Sequence, residues 1–91
     1  VPYIKPAYKG VYEKGIRSIR EAFAGVGASD GELNYVLTSV ALAWLNYHQP
    51  PHNYSLRSDV VKAFECAKLE FYERRVRPYE DEKIKENGDV Y

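Results

Sequence analysis

Two long segments of this chain carry apolar residues on both sides of a helix, and that doubling constrains the fold more than any other feature. Between Asp30 and Tyr47, Leu33, Leu37, Val40 and Trp44 recur at helical spacing and define one face, while Tyr35 and Leu42 fall nearly opposite. From about Ser55 to Arg77, Leu56, Val60, Phe64, Ala67 and Phe71 form one stripe, and Val61, Leu69, Tyr72 and Val76 form another far round the cylinder. The first stripe of each helix is expected to face a core. Three short helices in a monomer cannot cover the second stripes as well, and exposed apolar stripes mark association surfaces. The expectation is a homo-oligomer; the alternative is that the chain's own ends cover the second stripes.

The remaining elements follow from breaks and caps. Val1 to Ala7 holds two prolines and reads as an extended arm. Ile16, Ile19, Phe23 and Val26 predict a first helix from about Tyr8 to Ala24, closed by Gly25 and Gly27. Ser29-Asp30-Gly31-Glu32 is a capping box that opens the second helix, which ends before Pro50-Pro51. Ser55 is the expected N-cap of the third helix. Pro78 either kinks that helix or begins a short fourth one, for which Glu80, Asp81 and Glu82 suit the positive N-terminal end. Asn87-Gly88 closes the segment. The expected fold is therefore all-α, a single domain over residues 1–91. It has three main helices, a short C-terminal helix in segment 78–91, and a helical hairpin made by the two long helices.

Charge and cysteine usage remove several classes of function. Thirteen basic and thirteen acidic residues cancel, which leaves no cationic footprint for nucleic acid or an anionic membrane surface. No apolar run approaches the roughly 20 residues that span a bilayer, and the first ten residues contain no apolar signal core. The single cysteine, Cys66, has no partner for an internal disulfide, so a cytoplasmic setting is expected. Nine tyrosines, three phenylalanines and one tryptophan are many aromatics for so small a core. Tyrosine suits interfaces and ligand platforms, although core-edge packing would use it too.

Chemistry-bearing constellations are few. His48 and His52 are four apart, but Pro50-Pro51 between them forbids a helical zinc pair. No phosphate loop or nucleophile motif is present, and no cofactor is expected. Glu70-x-x-Glu73 and Glu86-x-x-Asp89 are carboxylate pairs at helical spacing. Two such pairs on neighbouring helices could share a divalent cation, as in the all-α nucleoside-triphosphate pyrophosphohydrolases; otherwise they are solvated acids. Lys68, Tyr72, Arg75 and Tyr79, spaced by four, three and four, line one stripe if the helix continues through Pro78. Cations there can hold phosphate and rings can stack on a base. Asn34, Tyr35 and Thr38 add amide, phenol and hydroxyl groups near the start of the second helix, where anions are favoured. The plainer alternative is that all seven are boundary side chains.

The segments Gly31 to Thr38 (GELNYVLT), Glu65 to Tyr72 (ECAKLEFY) and Pro78 to Ile84 (PYEDEKI), followed by Glu86 to Tyr91 (ENGDVY), together with the opening Pro2 to Pro6, resemble a family of short proteins found largely in tailed phages. The resemblance covers most of the chain and is weaker over Ala7 to Ala28 and His48 to Asn53. It implies a phage setting, with the host cytoplasm as the compartment. The functional expectation is a homo-oligomeric protein that sequesters a nucleotide-derived immune signal, of cyclic ADP-ribose type or a cyclic nucleotide, and so blunts host defence. Arg75 and Lys68 would take phosphate, Tyr72 and Tyr35 would stack on bases, and Asn34 would read a polar edge. The alternatives are a magnesium-dependent nucleotide pyrophosphohydrolase using Glu70, Glu73, Glu86 and Asp89, and a protein-binding adaptor.

Overall fold

A computed structural model of the chain describes residues 4–48 and 53–91. Every regular element among them is a helix: α1 (Pro6–Val26), α2 (Asp30–Tyr47), α3 (Tyr54–Phe71), a π-helical turn (Tyr72–Val76) and α4 (Arg77–Asn87). They fall into two units, Val1–Trp44 and Leu45–Tyr91. Pro50, Pro51 and His52 lie outside the described residues, as does the start of the expected arm.

In the first unit, α1 starts at Pro6, two residues before its expected start. Proline at the first helical position has no amide to leave unsatisfied and a dihedral already set for a helix. The helix runs through Gly25 and ends at Gly27, whose φ of 65° and ψ of 59° require the left-handed region. There the Gly27 amide donates to the Phe23 carbonyl at 2.9 Å, and the Ala28 amide to the same carbonyl at 3.3 Å. The capping box then forms as expected. The Ser29 amide donates to a Glu32 carboxylate oxygen at 2.9 Å, and the Glu32 amide to Ser29 Oγ at 3.3 Å. Among the described residues, α1 and α2 do not pack along each other. Phe23, Ala24, Ala28, Ser29, Asp30 and Leu33 line an open groove at the turn that joins them.

In the second unit, Asn53 caps α3, not Ser55: its side-chain oxygen accepts from the Leu56 amide at 2.9 Å. α3, the π turn and α4 then run as one joined helix that passes through Pro78. The expected short C-terminal helix is present as α4, with Pro78 in its first turn, and it is joined to α3 through the π turn. Within an α-helix the proline ring would collide with the carbonyl four residues back and leave it without a donor. The π turn relieves this by widening the helix just ahead of Pro78. Its signature is the Arg77 amide, which donates to the Tyr72 carbonyl five residues earlier. At the far end, the Gly88 amide donates to the Ile84 carbonyl at 2.8 Å.

Neither unit buries a described residue within itself. On α2 the expected core positions Leu33, Leu37 and Val40 are 47%, 48% and 55% exposed, hardly different from Leu42 on the opposite side at 52%. Phe64 and Phe71, assigned to the core-facing stripe of α3, are also exposed. The expected core faces are therefore not buried within their units, because no other helix of the same unit lies on them.

Candidate functional site

The π turn changes which side chains share a face. A turn closed by an i→i+5 bond holds one residue more than an α turn, so every later residue is set back by about 100°. In an unbroken α-helix Tyr79 would lie over Tyr72, and Glu80 would lie about 80° away from it. With the extra residue, Glu80 comes into line with Tyr72. The Tyr72 hydroxyl donates to the two Glu80 carboxylate oxygens at 2.8 and 3.0 Å. This bond spans eight residues and closes over the turn. The adjacent carboxylate, followed by desolvation of the phenol, pushes the Tyr72 pKa up.

The expected stripe of Lys68, Tyr72, Arg75 and Tyr79 therefore divides into two pairs. Lys68 and Tyr72 remain together, as do Arg75 and Tyr79, but the second pair has moved round toward the face that carries Phe64 and Phe71. Electrostatics separates the pairs further. Lys68 is held by Glu65 at 2.9 Å on its own helix, and the Tyr72 ring lies beside the Glu80 carboxylate. Both features disfavour an incoming phosphate. Arg75 makes no ion pair or hydrogen bond among the described residues. Its neighbours Arg74 and Arg77 are committed, to Glu70 and to Asp81 at 2.8 Å respectively. The Arg74 contact draws the Glu70 carboxyl pKa down, and the charge of Asp81 raises that of Arg77.

On α2 the Thr38 hydroxyl donates to the Asn34 side-chain oxygen at 3.3 Å. Tyr35 is 73% exposed and lies about 100° round from Asn34. The α2 group and the α3–α4 group belong to separate units, and each is a local cluster.

The four carboxylates considered for magnesium lie along one joined helix, not on neighbouring ones. From Glu70 to Glu86 the helix rises roughly 24 Å, so the two pairs cannot meet on one ion within a chain. Glu86 instead pairs with Lys83 at 3.3 Å, and Asp89 accepts from the Tyr91 amide at 3.0 Å. Among the described residues no cluster of His, Cys, Asp and Glu could hold a metal ion, and no helix is long and apolar enough to cross a membrane.

These features define an all-helical protein whose apolar faces have no partner within their own unit and whose one joined helix presents a cation–ring pair. The chain belongs to the family described as DUF6899, a domain of unknown function, which it matches over residues 1–90. No curated protein and no solved structure matches it.

Proposed function

We propose that this protein works as a homo-oligomer that holds a nucleotide-derived anionic ligand at a seam between copies. The observation that carries this reading is the absence of any described residue buried within either unit. Ordering a residue costs roughly 1–2 kcal/mol of conformational entropy. Helices of these lengths are marginal in water unless an apolar face is covered. Large side chains such as Phe71 and Tyr79, 64% and 63% exposed, offer that cover to another surface. A second copy is always at hand, and a net charge of zero raises no Coulomb barrier against it.

The ligand is assigned by chemistry. Arg75 is a guanidinium with no ion partner, one helical turn from the Tyr79 ring. An arginine fork suits phosphate, and a tyrosine ring suits a base. Lys68 and Tyr72 belong to the same candidate group on the joined helix, while Asn34, Tyr35 and Thr38 form a separate candidate group on α2. Of these, Lys68 and Tyr72 are weakened for phosphate by Glu65 and Glu80. In the phage setting that the resemblance implies, such a protein would sequester a host nucleotide signal rather than consume it. Calorimetry against cyclic di- and trinucleotides and ADP-ribose derivatives is the test. Arg75→Ala should weaken binding by about 1.5–3 kcal/mol, the scale of a charge-assisted contact, while leaving the assembly intact. If the wild type binds none of these ligands, the apolar faces serve a protein partner instead and the ligand reading falls.

A further inference from the structure

The bond from Tyr72 to Glu80 differs in kind from the ion pairs around it. Glu70 and Arg74, Arg77 and Asp81, and Lys83 and Glu86 are three or four residues apart, a spacing that meets on any α-helix. These pairs survive with or without an inserted residue. The Tyr72 hydroxyl reaches Glu80, at 2.8 and 3.0 Å, only because the π turn sets Glu80 back into line. Wound as plain α-helix, the same segment carries Glu80 about 80° away and breaks the bond. No packing within the second unit fixes the rotational setting of α4. Among the described residues α4 touches the π turn and no other element, so a rotation of about 100° about its own axis disrupts nothing in that unit. Two local restraints therefore select the π register: the Tyr72–Glu80 bond, and Pro78, whose ring meets the Arg74 carbonyl in an α-helix.

The two registers present different chemistry. In the π register Lys68 and Tyr72 stand apart from Arg75 and Tyr79, and the Glu80 carboxylate lies against the Tyr72 hydroxyl. In the α register the four side chains, spaced by four, three and four, fall on one line, and Glu80 leaves it. That line holds two cations and two rings in alternation over roughly 16 Å. We infer that the Tyr72–Glu80 bond is an autoinhibitory latch. It holds the joined helix in the π register, which splits the ligand site, and a nucleotide-derived anion draws the helix into the α register, where all four side chains meet it. Such a ligand distinguishes the registers, as a ligand that shifts an equilibrium must. In the α register it gains a second cation and a second ring, and it escapes the charge of Glu80. Because the binding register is the minor one in the free protein, the apparent affinity is reduced by its population, and anything that raises that population tightens binding.

This inference rests on the reading of the protein as a binder of nucleotide-derived anions, and the experiment separates the two. Coupling across hydrogen bonds, measured by NMR, names the acceptor of the Arg77 amide. That acceptor is the carbonyl of residue 72 in the π register and the carbonyl of residue 73 in the α register. Cyclic di- and trinucleotides and ADP-ribose are titrated by calorimetry into the wild type and into the double variant Tyr72→Phe with Pro78→Ala. Phenylalanine keeps the ring and removes the latch, and alanine removes the clash. In the wild type the acceptor should be residue 72 without ligand and residue 73 at saturation. In the double variant it should be residue 73 with no ligand present, and binding should be tighter by about tenfold or more. A double variant that keeps residue 72 as acceptor, or that binds no more tightly than a wild type that does bind, overturns the latch and leaves the ligand reading standing. So does a saturated wild type whose acceptor is still residue 72. If neither protein binds any of these ligands, the latch and the ligand reading fall together.

Discussion

Tyr72 is the residue at which sequence, geometry and electrostatics meet. Periodicity places it on a boundary stripe, where it looks like a free ring for stacking. The extra residue of the π turn instead delivers Glu80 beneath its hydroxyl, and the pair acts as a clasp over the turn. The carboxylate favours the protonated phenol, so the folded pKa lies above the usual 10. A group whose pKa is raised on folding contributes stability that is complete below its unfolded value and is lost as pH rises through the folded one. Ionising Tyr72 would set two negative charges against each other across the turn. Helicity followed by circular dichroism should therefore fall as pH climbs above 10 in the wild type, and Tyr72→Phe should lack that component. Identical alkaline curves for the two proteins would mean that the clasp contributes nothing. Glu70 works in the opposite direction: with its pKa lowered by Arg74, its contribution is present above the usual 4.5 and fades as pH falls through the lower folded value.

Elements differ in how much of them the sequence discloses, and the differences have physical causes. Local chemistry was legible where one residue type decides the outcome. Gly27 ends α1 because only glycine takes that φ cheaply, and Ser29 and Glu32 cap α2 because their spacing lets each reach the other's amide. Choices between equivalent residues were not legible. Asn53 and Ser55 both suit an N-cap, and which one is used depends on where the preceding chain leaves its extended backbone. The two are distinguishable by stability: Asn53→Ala should cost about 1 kcal/mol, whereas Ser55→Ala, inside the helix, should cost far less. Denaturant midpoints that fall equally for both would contradict the cap assignment. The π turn was illegible for a deeper reason. Reading residues at a constant angular step assumes the regularity that an inserted residue breaks, so Pro78 looked like a boundary, and Lys68, Tyr72, Arg75 and Tyr79 looked like one line. The residue types of the candidate site were readable, but their phase was not.

At the scale of the whole molecule, the doubled apolar stripes that open the sequence argument find no cover within either unit. Tyr35, Leu42, Leu69 and Val61 are exposed, and so are Leu37, Phe64 and Phe71. If, as proposed, a second copy covers these faces, it supplies the apolar burial that is needed, because helix propensity alone barely offsets the ordering of the backbone. On that proposal folding and assembly are one equilibrium, and stability depends on protomer concentration by mass action. The thermal midpoint should rise steadily as protein is taken from about 1 μM to about 100 μM, and helicity at 25 °C should decline on dilution. A ligand bound at the seam would raise the midpoint at every concentration, whereas Arg75→Ala would abolish that ligand effect and keep the concentration dependence. A midpoint that stays constant across this range, with a mass at 25 °C equal to one chain, would show that the helices find their cover within the protomer. The seam, and with it a ligand site shared between copies, would then have no place to form.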